Sequence, residues 1–231
     1  AIEHGVLANL SRRRIWHETN LALQEDCAFQ ILAKMDQYHI WPYLFPGYAF
    51  DGSLKDDFEK IVGSNPLFQK ALHKPNLPLL RFLLIVFPLK RDNLNTFFEE
   101  VQLPRAYRDA VWSLKDHAAT MTEEDEDFSE FDWYTLISET ATEVLIALYA
   151  IVLPLWQRRL LEAFFFFREH RIFCTKQEIR ALEGYERGTI KEILTDLLTE
   201  KKKGNTRTKE QELAYIRENL KNGKYKGELD V

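Results

Sequence analysis

The sequence predicts an all-α protein, a multi-helix body followed by a small helical tail, and three observations carry that prediction. No glycine occurs between Gly63 and Gly184, so 120 residues (64–183) run without one. Few turns there demand positive φ, which argues against hairpin-rich β structure. The prolines Pro42, Pro46, Pro66, Pro75, Pro78, Pro88, Pro104 and Pro154 suit helix boundaries and first turns, not strands. Apolar residues recur at intervals of three and four in stretch after stretch, the period of a helix with one buried face. Roughly ten to twelve helices are expected on that pattern.

Ser11 is a good N-cap for the first helix, with Ile15, Trp16, Ala22 and Leu23 as its inner face. Arg14 and Glu18 stand one turn apart on it, the spacing of a helical ion pair. Ala28, Ile31, Leu32 and Met35 give the next helix, which stops at Trp41-Pro42. Leu44-Phe45-Pro46-Gly47 is an apolar anchor entering a turn. Further helices are expected over 55–62, 66–72, 77–87, 91–101 and 104–119. Residues 123–132 are an acidic hinge. Helix resumes over 133–150 and again over 155–171, where Phe164 to Phe167 are consecutive and cannot all face one side.

The last stretch is the most distinctive. Gly184 and Gly188 bracket a tight turn, and Ile190, Ile193, Leu194, Leu197 and Leu198 then form one apolar helical stripe. Thr189 is the expected N-cap, which would leave the backbone N–H groups after Gly188 open to an anion. Lys201, Lys202, Lys203 and Arg207 follow, then a second capped start at Thr206 to Thr208 with Glu210 and Glu212 beyond it. A positive helix end beside a lysine run suits a phosphate backbone. An ordinary helix pair with a solvated basic loop fits the same residues.

Composition bounds the function. The 231 residues, 45% apolar and 29% charged, are those of a globular protein. Residues 157–227 carry 17 Lys and Arg against 11 Asp and Glu, whereas residues 1–156 carry 14 against 23. Such asymmetry suggests that one part meets a polyanion. Cys27 and Cys174 fit no metal or disulfide pattern, so a reduced, cytoplasmic setting is expected. The longest apolar run, Val144 to Trp156, is too short to span a bilayer and contains Pro154, so no membrane partner is expected. The start at Ala1 fits a piece of a larger protein as well as a processed chain.

Catalytic patterns are sparse. Asp125-Glu126-Asp127 spells the Asp-x-Asp of nucleotidyl transfer, but its flanks are acidic and polar, with no strand or phosphate-cradling glycine. The six histidines are scattered, and Leu21 stands where a zinc helix beginning at His17-Glu18 needs a second histidine. No catalytic residue, metal site or cofactor site is expected in the chain.

Taken in order, several segments resemble one family. Ser11-x-x-Arg14-Ile15-x-x-Glu18 is similar to the motif closing the neck of bacterial-type (class II) tRNA nucleotidyltransferases: the CCA-adding enzymes, A-adding enzymes and bacterial poly(A) polymerases. Leu44-Phe45-Pro46 resembles the start of that family's body. Thr175-x-x-Glu178-Ile179-x-x-Leu182-x-Gly184-Tyr185-x-x-Gly188-x-Ile190-x-x-Ile193-Leu194 resembles its tail signature. Gly204-x-x-x-Thr208-x-Glu210-x-Glu212-Leu213 looks like the end of long members fused to phosphoesterase and CBS domains. Two positions depart from the pattern: Arg187-Gly188-Thr189 replaces Pro-Gly-Pro, and Lys176 replaces a glycine.

The resemblance implies residues 1–26 as the end of a neck, 27–122 as a helical body, 123–132 as the hinge, 133–171 as body-to-tail helices and 172–231 as an RNA-binding tail. It implies tRNA, through acceptor stem and T-arm, as partner. Nucleotide addition, of CCA or the terminal A, belongs to a catalytic head of the same parent, with Mg²⁺ and ATP or CTP bound there. Ser11, Arg14 and Glu18 are then a structural neck motif. Gly184, Tyr185, Arg187, Gly188, Thr189, Lys191, Lys201, Lys202, Lys203 and Arg207 are the expected RNA contacts. Read without the resemblance, the same helices also fit a protein-interaction scaffold, or a helix-turn-helix DNA binder built on residues 175–200.

Overall fold

A computed structural model of the chain describes residues 10–63, 65–71, 73–121 and 128–225. The described residues hold fourteen α-helices and no strand. Among them no helix is long and apolar enough to cross a membrane. The chain divides into two compact units, Ala1–Glu126 with Thr140–Leu161, and Asp127–Glu139 with Glu162–Val231.

The first unit opens with α1 (Arg12–Ala22), α2 (Ala28–Gln37) and the four-residue α3 (Trp41–Leu44). Next come α4 (Leu54–Gly63), α5 (Pro66–Lys70), α6 (Leu77–Val86), α7 (Arg91–Val101) and α8 (Arg105–Thr120). After α9 (Glu130–Glu139), α10 (Thr142–Ile151) and the start of α11 (Pro154–Glu169) complete it. Helices α6 and α10 are apolar on nearly every side, the mark of helices buried all round. Leu79 to Val86 and Val144 to Leu148 are all buried, and α10 packs on α4, α5, α6 and α8.

Short, capped pieces explain why there are more helices than the periodicity suggests. Asn65 caps α5, taking the Leu67 N–H at 3.0 Å, while its amide reaches the Ile146 carbonyl at 3.1 Å. Asn76 caps α6 by accepting from the Leu79 N–H at 3.1 Å. Expected as one stretch, 133–150 is broken at Thr140 and Ala141 into α9 and α10, which fall in different units. Of the acidic hinge, residues 123–127, with the Asp125–Asp127 pair, lie outside the described residues. Glu130 to Asp132 begin α9, whose start Ser129 and Asp132 lock by mutual hydrogen bonds.

Two cations, Arg81 buried and Lys115 half-buried, finish helix ends in this unit. Arg81, alone among the apolar side chains of α6, donates from Nη1 to the Leu23 and Glu25 carbonyls, both at 2.7 Å. Leu23 is the C-cap of α1, where a cation meets an orphan acceptor and the negative end of the helix dipole, and Glu25 lies in the turn just beyond it. Lys115 does the same after α6, donating to Phe87 O at 2.6 Å and Leu89 O at 2.7 Å. Burial pulls the Lys115 ammonium below its ordinary value.

The second unit contains α9, the rest of α11, α12 (Lys176–Arg180), α13 (Ile190–Lys202) and α14 (Lys209–Lys221). Phe167, Ile172, Ile179, Ile193, Leu194, Leu197, Leu198, Ile216 and Leu220 form its core. The phenylalanine run divides as a helix requires: Phe167 is buried, Phe164 and Phe166 are half-buried, and Phe165 is exposed.

Candidate nucleic-acid interface

Helix α1 presents two faces of different character. Ile15, Trp16, Thr19 and Ala22 are buried, with Trp16 against Phe82 (centroids 4.9 Å) and Phe97 (5.4 Å). Arg12 belongs to this inner side. Its Nε donates to the Tyr43 carbonyl at 3.1 Å and its Nη1 pairs with Glu100 at 2.6 Å. Ser11 caps the helix as expected, accepting from the Arg14 N–H at 3.3 Å.

The expected structural role of Arg14 and Glu18 needs correcting. Both side chains are exposed, and they make no ion pair with each other among the described residues. They point away from the body, so Arg12 fixes this helix instead. Arg13, Arg14 and His17 remain on the outer face.

The tail turn is built by its neighbours. Thr175 and Glu178 form a reciprocal capping box on α12, and Lys209 on α14 pairs with Glu178 at 2.6 Å. These bonds, from Lys209 first and then Thr175, hold the Glu178 carboxyl down at about 2. Gly184 (φ +85°) and Gly188 (φ +107°) both adopt the left-handed region that side chains disfavour. Tyr185 is half-buried and packs against the tail core. Thr189 stands at the N-cap position of α13, but its hydroxyl turns back to donate to the Glu186 carbonyl at 2.8 Å. Being buried, that hydroxyl contributes no surface. Arg187, Gly188 and Lys191 are exposed around it, and Lys191 lies over the Phe131 ring at 5.4 Å.

The lysine run is less open than its sequence suggests. Lys201 is buried, its Nζ 2.6 Å from Glu212 Oε1, so it is withdrawn from the expected RNA contacts. The other Glu212 oxygen accepts from the Phe173 and Cys174 N–H groups, both at 2.8 Å. Burial and then Glu212 push the Cys174 thiol up to about 12. Lys202 pairs with Glu130 and Lys203 with Glu200, at 2.6 and 2.8 Å, both from exposed positions. Arg207 is exposed, with Nε on the Gly204 carbonyl at 3.3 Å. Three of the expected contacts, Arg187, Gly188 and Lys191, thus share one open turn.

Comparison with known proteins places this geometry. Residues 3–51, which contain all of α1, match the family described as "Probable RNA and SrmB-binding site of polymerase A". No curated protein is matched by sequence. Among solved structures, a CCA-adding enzyme in complex with ATP superposes on 100% of this chain and 55% of its own, at 18% identity and a TM-score of 0.66. The Thermotoga maritima CCA-adding enzyme complexed with tRNA covers 95% of this chain and 54% of its own, at 16% identity and a TM-score of 0.64. An apo form of a CCA-adding enzyme covers 94% and 52%, at 18% identity and a TM-score of 0.63. In fold the chain is therefore similar to CCA-adding enzymes, and it spans about half the length of the solved enzymes it matches.

Proposed function

We propose that this chain is the RNA-holding region of a tRNA nucleotidyltransferase that adds CCA or the terminal A to the tRNA 3′ end. It grips the acceptor stem and T-arm, while a separate head domain carrying Mg²⁺ and ATP or CTP performs the chemistry. The observation that carries this reading is the position of Arg13, Arg14 and His17. They form the outer face of a helix whose inner face is fixed by Trp16 and Arg12, inside the segment that matches an RNA-binding family. A rigid helix with an exposed cationic side suits phosphate contacts that set position and carry little sequence information. The open turn at Arg187 and Lys191 supplies a second cationic point in the tail.

Titration of labelled tRNA with the chain tests the proposal. Arg13→Ala with Arg14→Ala, and separately Arg187→Ala with Lys191→Ala, should each weaken binding by about tenfold, or 1.4 kcal/mol. Unchanged affinity in both double variants would contradict it.

A further inference from the structure

A cavity of about 280 Å³ opens in the first unit beside α2, α4 and α6, and its lining residues belong neither to the outer face of α1 nor to the tail turn. Asp26, Phe29, Gln30, Phe58, Glu59 and Arg81 line it, together with Lys55. Arg81 is the unusual member. It is 7% exposed, and its Nη1 is committed to two carbonyls, yet its buried Nε has no acceptor among the described residues. The nearby Asp26 carboxylate favours its charge through space, against the effect of burial.

The wall chemistry selects against a simple anion. Two carboxylates face two cations, and Lys55 already lies 4.0 Å from Glu59. Phe29 and Phe58 meet edge to face, centroids 6.5 Å apart, and supply an apolar side. An aromatic wall with a carboxylate acceptor, an amide and a guanidinium donor suits the edge of a nucleobase. Guanine presents adjacent N–H donors for a carboxylate and O6 and N7 acceptors for a guanidinium. Proteins that bind RNA commonly splay single bases into pockets of this kind. Asp26, Phe29 and Gln30 also fall inside the matched segment 3–51.

We infer that this cavity takes one unstacked guanine of a bound RNA, an inference that rests on the RNA-holding reading above. Asp26 accepts from the base, Gln30 and Arg81 bond its acceptors, and Phe29 covers its face, with Phe58 standing perpendicular to that ring as an apolar edge.

The test titrates the full chain with GMP, AMP, CMP, UMP and ribose 5-phosphate by calorimetry, with tRNA affinity measured in parallel. GMP should bind about tenfold more tightly than the other nucleotides, the discrimination of one good bidentate pair, and ribose 5-phosphate should not bind. Asp26→Asn and Gln30→Ala change exposed positions, and each should erase the preference while the chain stays folded by far-UV circular dichroism. Equal binding of all four nucleotides, binding of ribose 5-phosphate, or indifference to both variants would overturn the inference. Absence of GMP binding with tRNA binding intact would sink it alone. Guanine-selective GMP binding without tRNA affinity would instead overturn the RNA-holding reading and leave a guanine nucleotide site.

Discussion

Lys201 and Glu212 form an ion pair inside the second unit, Nζ to Oε1 2.6 Å, with side chains 5% and 0% exposed. The pair joins the last turn of α13 to the first turn of α14, and Glu212 also closes the backbone at Phe173 and Cys174. Lys201→Met leaves a buried carboxylate without its cation and should destabilise the unit by about 3–5 kcal/mol. Changing both residues to apolar ones should not restore stability, because the Phe173 and Cys174 N–H groups then lose their acceptor. Urea unfolding of the two variants checks both statements. A Lys201→Met midpoint equal to wild type would refute the role.

The docking of α1 gives a sharp contrast between two neighbouring arginines. Arg12→Ala should cost about 1 kcal/mol, since its pair with Glu100 is partly exposed and its bond to Tyr43 O is lost as well. Arg14→Ala and Glu18→Ala should each stay within about 0.5 kcal/mol of wild type. Thermal melts of the three variants decide. Equal destabilisation by Arg12→Ala and Arg14→Ala would contradict the assignment.

These residues show what a sequence carries and what it hides. Helix α7 is legible to its end residues, and the α13 stripe foretells its buried face. Arg12, Lys201 and Glu212 were legible too, by a signal easily passed over. Arg12 lies three and four residues before Ile15 and Trp16, Lys201 extends the stripe of Leu194, Leu197 and Leu198, and Glu212 shares a face with Ile216 and Leu220. A charge on an apolar stripe must be buried with a partner. Its partner is not legible, because Glu100 is 88 residues from Arg12 and meets it only through tertiary packing. The motif spacing favoured Arg14, whereas the helical face favours Arg12. The break at Thr140 was hidden because residues 133–150 contain neither glycine nor proline.

Gly184 and Gly188 set the shape of the tail turn. A side chain at either meets no prohibitive contact, so the cost of Ala is conformational. Each substitution should lower stability by about 1–2 kcal/mol, read as a fall in melting temperature. A neutral Gly188→Ala would show that the turn does not need its positive φ.

Acid should loosen α12 and its tie to α14. The folded Glu178 carboxyl titrates near 2, below its ordinary 4.5. Its contribution is therefore complete above about pH 4.5 and is lost as pH falls toward 2. Melting temperature followed over that interval should fall less steeply in Glu178→Gln than in wild type. Identical slopes would show that the Lys209 and Thr175 bonds add nothing in solution.

The salt dependence of tRNA affinity tests the central claim most directly. If α1 and the tail turn meet phosphates, about three to five contacts should make log affinity fall with log salt at a slope of roughly −2 to −5. Removing Arg187 and Lys191 together should flatten that slope by about one to two, equally for every tRNA, while Lys201→Met should leave it unchanged in folded protein. Duplex DNA of equal length should bind more weakly than tRNA. A tRNA affinity indifferent to salt and to these substitutions, or a preference for duplex DNA, would contradict the account.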